Sequence, residues 1–312
     1  MFNSKNIFIA LTYRCNAFCN KCMTRYHKNK DVEISHEILN RFFTLLTDND
    51  YSGIVSVGTG EPLLFKDLES FVENILKVND KVRLRMLTNG MLLSVDNNPL
   101  IFNERCKWGV TMDAFSQETL MGLQKGVDIE KVKYNVASVA QKYGGSSLYL
   151  NFTVSQKNID QILPFCEFAV NNGITDVYLT ELKLFTGYEN ELSKYKVIHD
   201  EYFKGVISEA KKFLETNGIS TKGINFERRC NRSDCYLKNR ASPVIDVDGS
   251  VSFCSGREDI YVGNVMDVDV EKKWLDFSKK VENTQGKWCE LCYDRMLPNG
   301  IYRLPKTILK EW

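Results

Sequence analysis

Two patterns of hydrophobic residues alternate along this chain. Short apolar runs typical of buried strands are separated by longer stretches in which apolar residues recur every three to four positions, as in amphipathic helices. One such stretch spans 35–49, where Ser35 is the expected N-cap and Phe42 and Leu45 share a face. The pattern predicts strands at 7–12, 54–58, 82–88, 108–112, 148–154 and 177–181, and helices at 35–49, 67–78, near Leu100, and at 130–143, 160–172 and 195–216.

These six strand–helix units predict an α/β fold in which parallel strands are joined by helical crossovers. Six units are two fewer than a closed eight-fold barrel contains, so the expected architecture is a partial (β/α)6 TIM-like barrel over residues 1–220. In such folds ligands bind at the carboxyl ends of the strands.

The sequence changes character near Thr221, where a second domain, 221–312, is expected. Five of the ten cysteines lie between Cys230 and Cys292. Residues 243–254 predict a β-hairpin around an Asp-Gly turn, and one amphipathic helix is expected at about 270–281. A cysteine-rich module of a hairpin plus a helix has little core of its own, so a metal is expected to hold it.

Composition narrows the function classes. The 312 residues include 41 Lys and Arg against 40 Asp and Glu, which argues against a dedicated nucleic-acid binder. No apolar run is long enough for a membrane helix, and no signal peptide is recognisable, so a cytoplasmic protein is expected. Ten cysteines in a reducing compartment indicate metal or redox chemistry, and with only three histidines the expected ligand is sulfur.

Cys15, Cys19 and Cys22 follow the first strand with the spacing C-x3-C-x2-C. Three thiolates on so short a loop can each ligate one iron of a four-iron cubane and leave the fourth iron open, and an open position is typical of a catalytic metal. The alternatives are a zinc site completed by His27, or three free cysteines.

At these residues the chain resembles the radical S-adenosylmethionine superfamily, and the resemblance spans roughly residues 6–182. It implies a [4Fe-4S] cluster whose open iron binds S-adenosylmethionine, and a 5′-deoxyadenosyl radical that abstracts hydrogen from the substrate. Lys21 departs from the aromatic residue that the family often has before its third cysteine.

Motifs at the strand ends extend the resemblance. Gly58-Thr59-Gly60-Glu61-Pro62 is similar to the family's GGEP motif, which implies that backbone groups and the Glu61 carboxylate meet the ammonium group of S-adenosylmethionine. Each of these residues alone would more often be structural, but polar groups at the ends of successive buried strands indicate a lined cavity. The expected cofactor-binding residues are Gly58, Thr59, Gly60, Glu61, Thr88, Asn89, Thr111, Asp113, Asn151, Thr153 and Glu181.

A second set of four thiols is formed by Cys235, Cys254, Cys289 and Cys292. Their arrangement resembles the SPASM/twitch auxiliary-cluster module, and the absence of further cysteines after Cys292 favours the shorter twitch form with a second, fully ligated [4Fe-4S] cluster. Spacing alone leaves a four-cysteine zinc ribbon as the alternative.

Three cysteines remain outside both sets. Cys106 and Cys166 are expected to be small core residues. Cys230 is a candidate catalytic thiol that donates a hydrogen atom to a substrate radical, as an epimerase needs. It is alternatively a ligand in place of Cys235 or a cysteine without a direct role.

The expected function is hydrogen abstraction from an unactivated C–H bond of a ribosomally synthesised peptide, leading to oxidation, cross-linking or epimerisation. The chain begins almost at the first strand, so a separate leader-peptide-binding protein is expected, together with a flavodoxin- or ferredoxin-like electron donor. One alternative substrate is a small polar metabolite such as an aminocyclitol or sugar, because the module also resembles those of an aminocyclitol dehydrogenase and of the molybdenum-cofactor cyclase. The sequence ends Leu309-Lys310-Glu311-Trp312 and lacks the cyclase's arginine- and glycine-ended tail, which argues against the cyclase. A non-catalytic iron–sulfur or zinc-binding protein is the alternative of another class.

Overall fold

The computed structural model describes residues 4–20, 22, 31–182, 193–224, 226, 242–254 and 257–283. Within these ranges, nine strands form one sheet in the order β11-β10-β9-β1-β3-β4-β5-β7-β8. The strands are β1 (Asn6–Ile9), β2 (Phe18–Cys19), β3 (Ile54–Val57), β4 (Arg83–Thr88), β5 (Cys106–Thr111), β6 (Gln124–Lys125), β7 (Leu148–Val154), β8 (Val177–Glu181), β9 (Val244–Ile245), β10 (Ser250–Cys254) and β11 (Arg257–Asn264).

Helices separate the neighbouring parallel strands of the central sheet, except that a 3₁₀ turn joins β4 and β5. The helices are α1 (His36–Asp48), α2 (Leu68–Val78), α3 (Gln117–Met121), α4 (Ile129–Tyr143), α5 (Ile162–Asn171), α6 (Glu201–Thr216) and α7 (Val270–Asn283). The strands β1, β3, β4, β5, β7 and β8 are paired in parallel, each with the next. This arrangement confirms the predicted partial barrel.

Each central strand has a helix-facing side and an interior side. On β7, Leu148, Leu150, Phe152 and Val154 are fully buried in the main hydrophobic core, whereas the residues between them are only partly buried. Because side chains alternate along a strand, the partly buried set faces the barrel interior. This alternation decides which polar residues can reach a ligand there.

Capping residues set the helix boundaries. Ser35 caps α1 as predicted, since its Oγ accepts a hydrogen bond from the backbone N–H of Ile38 at 3.2 Å. The helix predicted to start at residue 195 instead begins at Glu201, because Asp200 accepts a bond from the Phe203 N–H at 2.8 Å. The segment near Leu100 is a single 3₁₀ turn, Pro99–Phe102, rather than a helix.

The predicted hairpin is present but is not isolated from the barrel. Strand β9 pairs antiparallel with β10 and parallel with β1, through Phe8↔Val244 and Ile9↔Ile245. The barrel sheet therefore continues into the hairpin and into β11, a strand that the sequence reasoning missed. The division of the chain at residue 220 falls between α6 and β9 and stays a prediction.

The hairpin turn is formed as expected. Gly249 adopts a φ of 79°, and its N–H donates to the carbonyl oxygen of Asp246 at 2.9 Å. None of the helices in the described ranges is long and apolar enough to cross a membrane.

We expect Asp128→Ala to destabilise the protein by about 1 kcal/mol, because Asp128 Oδ1 caps α4 by accepting bonds from the N–H groups of Glu130 and Lys131 at 3.0 and 3.1 Å. Urea unfolding measures the loss. Asp67→Ala is the matched control, because Asp67 stands at the N-cap of α2 without a side-chain cap bond, and its contact with His36 at 3.0 Å is an exposed pair that contributes little. Equal losses in the two variants would contradict the capping role.

Candidate functional site

The loop after β1 carries the three cysteines of the first set. Cys15, Cys19 and Cys22 are all partly buried, and the Cys22 N–H donates to the Cys19 carbonyl oxygen at 3.2 Å, so the last two lie on one tight turn. No three His, Cys, Asp or Glu side chains in the described ranges lie close enough to share one metal ion. A cubane needs no such convergence, since each thiolate binds a different iron. The donor set therefore fits a four-iron cluster, while His27 lies outside the described residues.

A short antiparallel β-ladder connects the cysteine loop to the barrel. Strand β2 pairs antiparallel with β6, and the Asn20 side chain donates to the carbonyl oxygen of Gly122 at 2.9 Å. The sequence reasoning missed both strands and α3. Two-residue strands are too short to show a hydrophobic period, so no sequence signal marked them.

Amide groups surround the sulfur of Cys15. The Ala17 N–H lies 3.4 Å from Cys15 Sγ, and Asn89 Nδ2 lies 3.8 Å from it. Asn89 also donates to Asn16 Oδ1 at 2.7 Å, so the segment after β4 contacts the cysteine loop directly. Burial raises the pKa of the Cys15 thiol, and these N–H groups act in the opposite direction by stabilising the thiolate.

The carboxylate of Glu61 ties the turn after β3 to the end of β4. Its Oε1 accepts a hydrogen bond from the Thr88 hydroxyl at 2.8 Å, and its Oε2 accepts one from the Asn89 N–H at 2.9 Å. The Glu61 N–H donates to the Arg14 carbonyl oxygen at 2.7 Å. Glu61 is 1% exposed, and burial raises the pKa of its carboxyl group. Both oxygens thus face protein donors, and a contact with an ammonium group of S-adenosylmethionine stays a prediction.

Gly60 brings the same turn against the cysteine loop. Its φ is 68°, and a Cβ atom at this position would lie 2.2 Å from the carbonyl oxygen of Thr12. Gly58 is different, because a Cβ there would meet nothing closer than the Leu87 side chain at 3.7 Å. Thr59 between them is partly buried. The second glycine of the motif is therefore required by packing, and the first is not.

Three of the predicted cofactor-binding residues share the barrel interior. Thr111 and Asn151 lie opposite each other in the register of β5 and β7, and Thr153 follows on the same face. Asp113 is fully buried, and its Oδ1 accepts a bond from the Thr153 N–H at 2.6 Å. The structure thus brings these four residues together at the carboxyl end of the sheet.

Glu181 is not brought to this interior. It pairs in register with the buried Val154 and shares the parity of Val177 and Leu179, which places it on the helix-facing side of β8. Its Oε2 lies 3.1 Å from His199 Nε2, and its Oε1 is buried with no hydrogen-bond partner among the described residues. Burial raises the pKa of the Glu181 carboxyl group, against the opposing influence of His199. Among the polar residues predicted to line a cavity at the strand ends, Glu181 therefore does not face the barrel interior.

Deeper in the barrel lies a tier of side chains that the sequence reasoning missed. The Arg85 guanidinium carbon lies 5.8 Å from the centre of the Tyr149 ring, and Tyr178 contacts the same ring edge to face at 5.6 Å. A Cβ on Gly109 would lie 2.1 Å from Tyr149, so only glycine leaves room for this ring. The available signal was the alternation of polar and apolar residues within β4 and β7.

Of the seven remaining cysteines, three lie in the described residues and four lie outside them. Cys106 and Cys166 are buried in the core, as predicted, and burial raises the pKa of each thiol to about 12. Cys254 ends β10. The other predicted ligands and the candidate thiol lie outside the described residues: Cys230, Cys235, Cys289 and Cys292.

Comparisons with known proteins agree on one family. A family model described as the radical SAM superfamily matches residues 9–180, which run from β1 to β8. A protein named probable GTP 3′,8-cyclase from Saccharolobus islandicus strain Y.N.15.51 is 25% identical over 283 residues, or 85% of each chain.

Solved structures show the same fold at low sequence identity. Streptococcus suis SuiB bound to S-adenosylmethionine has a TM-score of 0.70 at 14% identity, covering 96% of this chain and 73% of that one. Native anSMEcpe with bound AdoMet and Cp18Cys peptide has a TM-score of 0.64 at 18% identity, covering 95% of this chain and 92% of that one.

We expect Gly60→Ala to destabilise the protein by about 1–3 kcal/mol or more, because the positive φ and the contact with the Thr12 carbonyl oxygen both oppose a side chain. Urea unfolding measures this loss, and Gly58→Ala is the control, because a Cβ there would make only an ordinary van der Waals contact with Leu87 at 3.7 Å. A Gly58→Ala loss as large as that of Gly60→Ala would show that the close approach is unimportant.

The raised pKa of Glu61 predicts a pH-dependent stability. The folded state holds this proton more tightly than the unfolded chain, so the linked stability is fully present below the usual glutamate pKa, about 4.3, and is lost as pH rises through the raised pKa. Glu61→Gln cannot ionise and lacks this dependence. The stability advantage of the wild type over Glu61→Gln should therefore shrink between pH 4 and pH 7 in thermal unfolding. A constant difference would contradict the assignment.

Proposed function

Because the chain belongs to the radical S-adenosylmethionine superfamily, we propose that it abstracts hydrogen from an unactivated C–H bond of a ribosomally synthesised peptide. Membership implies an enzyme that uses a [4Fe-4S] cluster and S-adenosylmethionine. The residues that would hold the cluster are Cys15, Cys19 and Cys22. When bound, the cluster supplies the electron for reductive cleavage of S-adenosylmethionine, which makes hydrogen abstraction possible. The protein's own part is to bind and orient the substrate carbon and to exclude water.

The charge of the barrel interior carries the proposal. Apart from Arg85 and the buried Asp113, the interior residues described above present neutral hydroxyl, amide and phenol groups. The Lys107 ammonium is already paired with the Asp176 carboxylate. Arg85 lies inside the barrel on this face and makes no ion pair with a described residue, whereas Arg83 lies on the same face but is exposed at the start of β4. A peptide, whose backbone is neutral, suits such a surface. A triphosphate carries several negative charges and would need more cations there.

Arg85 would then bind one acidic group of the peptide, either a side chain or the terminal carboxylate. Its planar guanidinium can form two parallel hydrogen bonds to a carboxylate, and the Tyr149 ring beneath it fixes the plane. The peptide present in the similar anSMEcpe structure supports a substrate of this class.

A second candidate is the cyclisation of a nucleotide. The observation in its favour is the identity of 25% to a probable GTP 3′,8-cyclase, because it extends over 85% of both chains. On this reading the interior cations would have to come from residues outside the described ranges.

The second cysteine set extends the proposal. Cys235, Cys254, Cys289 and Cys292 would ligate an auxiliary [4Fe-4S] cluster that accepts an electron after hydrogen abstraction, which makes the net reaction an oxidation. Cys230 would instead return a hydrogen atom if the reaction is an epimerisation. Either route requires a flavodoxin- or ferredoxin-like electron donor and, for a peptide, a partner that binds its leader.

The decisive experiment compares substrates in the anaerobically reconstituted enzyme. We expect about eight iron and eight sulfide per chain, as two four-iron clusters require, and about four of each if the second set binds zinc. A precursor peptide encoded beside the gene should stimulate formation of 5′-deoxyadenosine, and the mass of that peptide should change. GTP should not stimulate formation of 5′-deoxyadenosine.

Arg85 provides the matched variant for this comparison. Arg85→Gln should raise KM for the peptide roughly tenfold or more with a smaller effect on kcat, as expected when one charge-assisted contact is lost. Arg83→Gln, on the same face but exposed at the start of β4, should leave KM unchanged. Stimulation by GTP and not by peptide would overturn the proposal in favour of the cyclase.

A further inference from the structure

A buried carboxamide lies beside the first cysteine loop and has no assigned role. Gln124 in β6 is 3% exposed, and its Oε1 has no hydrogen-bond donor in the described part of the chain. A buried polar atom without a hydrogen bond costs roughly 1–3 kcal/mol, so the position calls for a partner that the described residues do not supply.

The register of the short ladder gives the neighbour of Gln124. Cys19 and Gln124 are directly opposed. The Asn20 N–H donates to the carbonyl oxygen of Leu123 at 2.9 Å, which makes the adjacent pair the hydrogen-bonded type. Because the two types alternate in an antiparallel ladder, Cys19 and Gln124 form the closer type, with Cα atoms about 4.5 Å apart.

Exposure shows that the two side chains share one face. Phe18 is 59% exposed and its register partner Lys125 is also exposed, so these two residues occupy the solvent side of the ladder. Cys19 is partly buried and Gln124 is fully buried, which places both on the inner side. The carboxamide therefore lies next to the Cys19 sulfur.

The chemistry of the Cys19 sulfur determines which atom of the Gln124 carboxamide can interact with it. An iron-bound thiolate and the sulfides of a cluster only accept hydrogen bonds, and a carboxamide donates through its NH2 group. A half-turn of the terminal amide exchanges the orphaned oxygen for this donor. Cys15 already has two N–H donors, from Ala17 and Asn89.

We propose that Gln124 donates a hydrogen bond to the sulfur side of the cluster at Cys19 and thereby raises the reduction potential of that cluster. Reduction adds negative charge to the cluster, and hydrogen bonds to its sulfurs stabilise the more negative state. Gln124 thus tunes the ease of electron entry. The proposal goes beyond the choice of substrate and rests only on Cys19 being a cluster ligand.

The test is a redox titration of the reconstituted full-length protein, followed by the EPR signal of the reduced cluster in the absence of S-adenosylmethionine. To isolate the first cluster, Cys289→Ala/Cys292→Ala serves as the parent protein. Gln124→Leu should lower the midpoint potential by an amount equal to about a threefold to tenfold change in the reduction equilibrium, where tenfold is about 59 mV for one electron. Gln124→Glu, which keeps the shape but adds negative charge beside the thiolates, should lower it at least as far.

Lys125→Gln is the matched control, because it changes the adjacent residue of β6 on the solvent face and should leave the potential unchanged. Iron content is measured for every variant, and Cys19→Ala should fail to assemble the first cluster if Cys19 is a ligand. Unchanged potentials in Gln124→Leu and Gln124→Glu at full iron content would overturn the proposal. Loss of the cluster in both variants, with Lys125→Gln loaded, would also overturn it, because Gln124 would then be structural.

Discussion

The buried carboxylate of Glu61 is the contact on which the carboxyl end of this barrel depends. It accepts hydrogen bonds from Thr88 and Asn89, and the backbone of Glu61 donates to Arg14. Three strand ends therefore form one hydrogen-bonded unit that includes the cysteine loop. Burying a carboxylate is costly, and three donors, the third being the Leu63 N–H, replace part of the lost hydration. Desolvation outweighs them, and the pKa of Glu61 is therefore raised. The Gly58–Pro62 motif therefore stabilises this end of the barrel, in addition to being a candidate ligand contact.

The sequence predicted the central strands well where they are long and buried. The strand at Leu148–Val154 was found with its full bounds because seven residues alternate cleanly between the two faces. Strands β2 and β6 have two residues each and carry no period, so the ladder beneath the cysteine loop was invisible. Pairing of β9 with β1 joins residues far apart in the chain, and no local pattern encodes such a contact.

The placement of Glu181 shows how a readable signal was missed. Glu181 follows Leu179 by two positions, so its side chain belongs on the helix-facing side with the apolar residues of β8. Position at the end of a strand suggested a ligand contact, but parity within the strand argued against it. No such signal was available for the packing of Tyr149 over Gly109 in the barrel interior. That fit depends on the register between two strands and follows only from their pairing in three dimensions.

Continuity of the sheet bears on how the two predicted cysteine sets could work together. The hairpin that ends at Cys254 is hydrogen-bonded through β9 to β1, and β1 leads directly into the loop with Cys15. A sheet holds its strands about 4.8 Å apart with little freedom, whereas a flexible linker would leave their separation variable. In the proposed reaction a second cluster would accept an electron after hydrogen abstraction in the barrel, so its position relative to the barrel would matter. The extension of the barrel sheet supplies a rigid connection between the first cysteine loop and the strand that carries Cys254, which would hold this ligand of the proposed second cluster in a set position relative to the barrel.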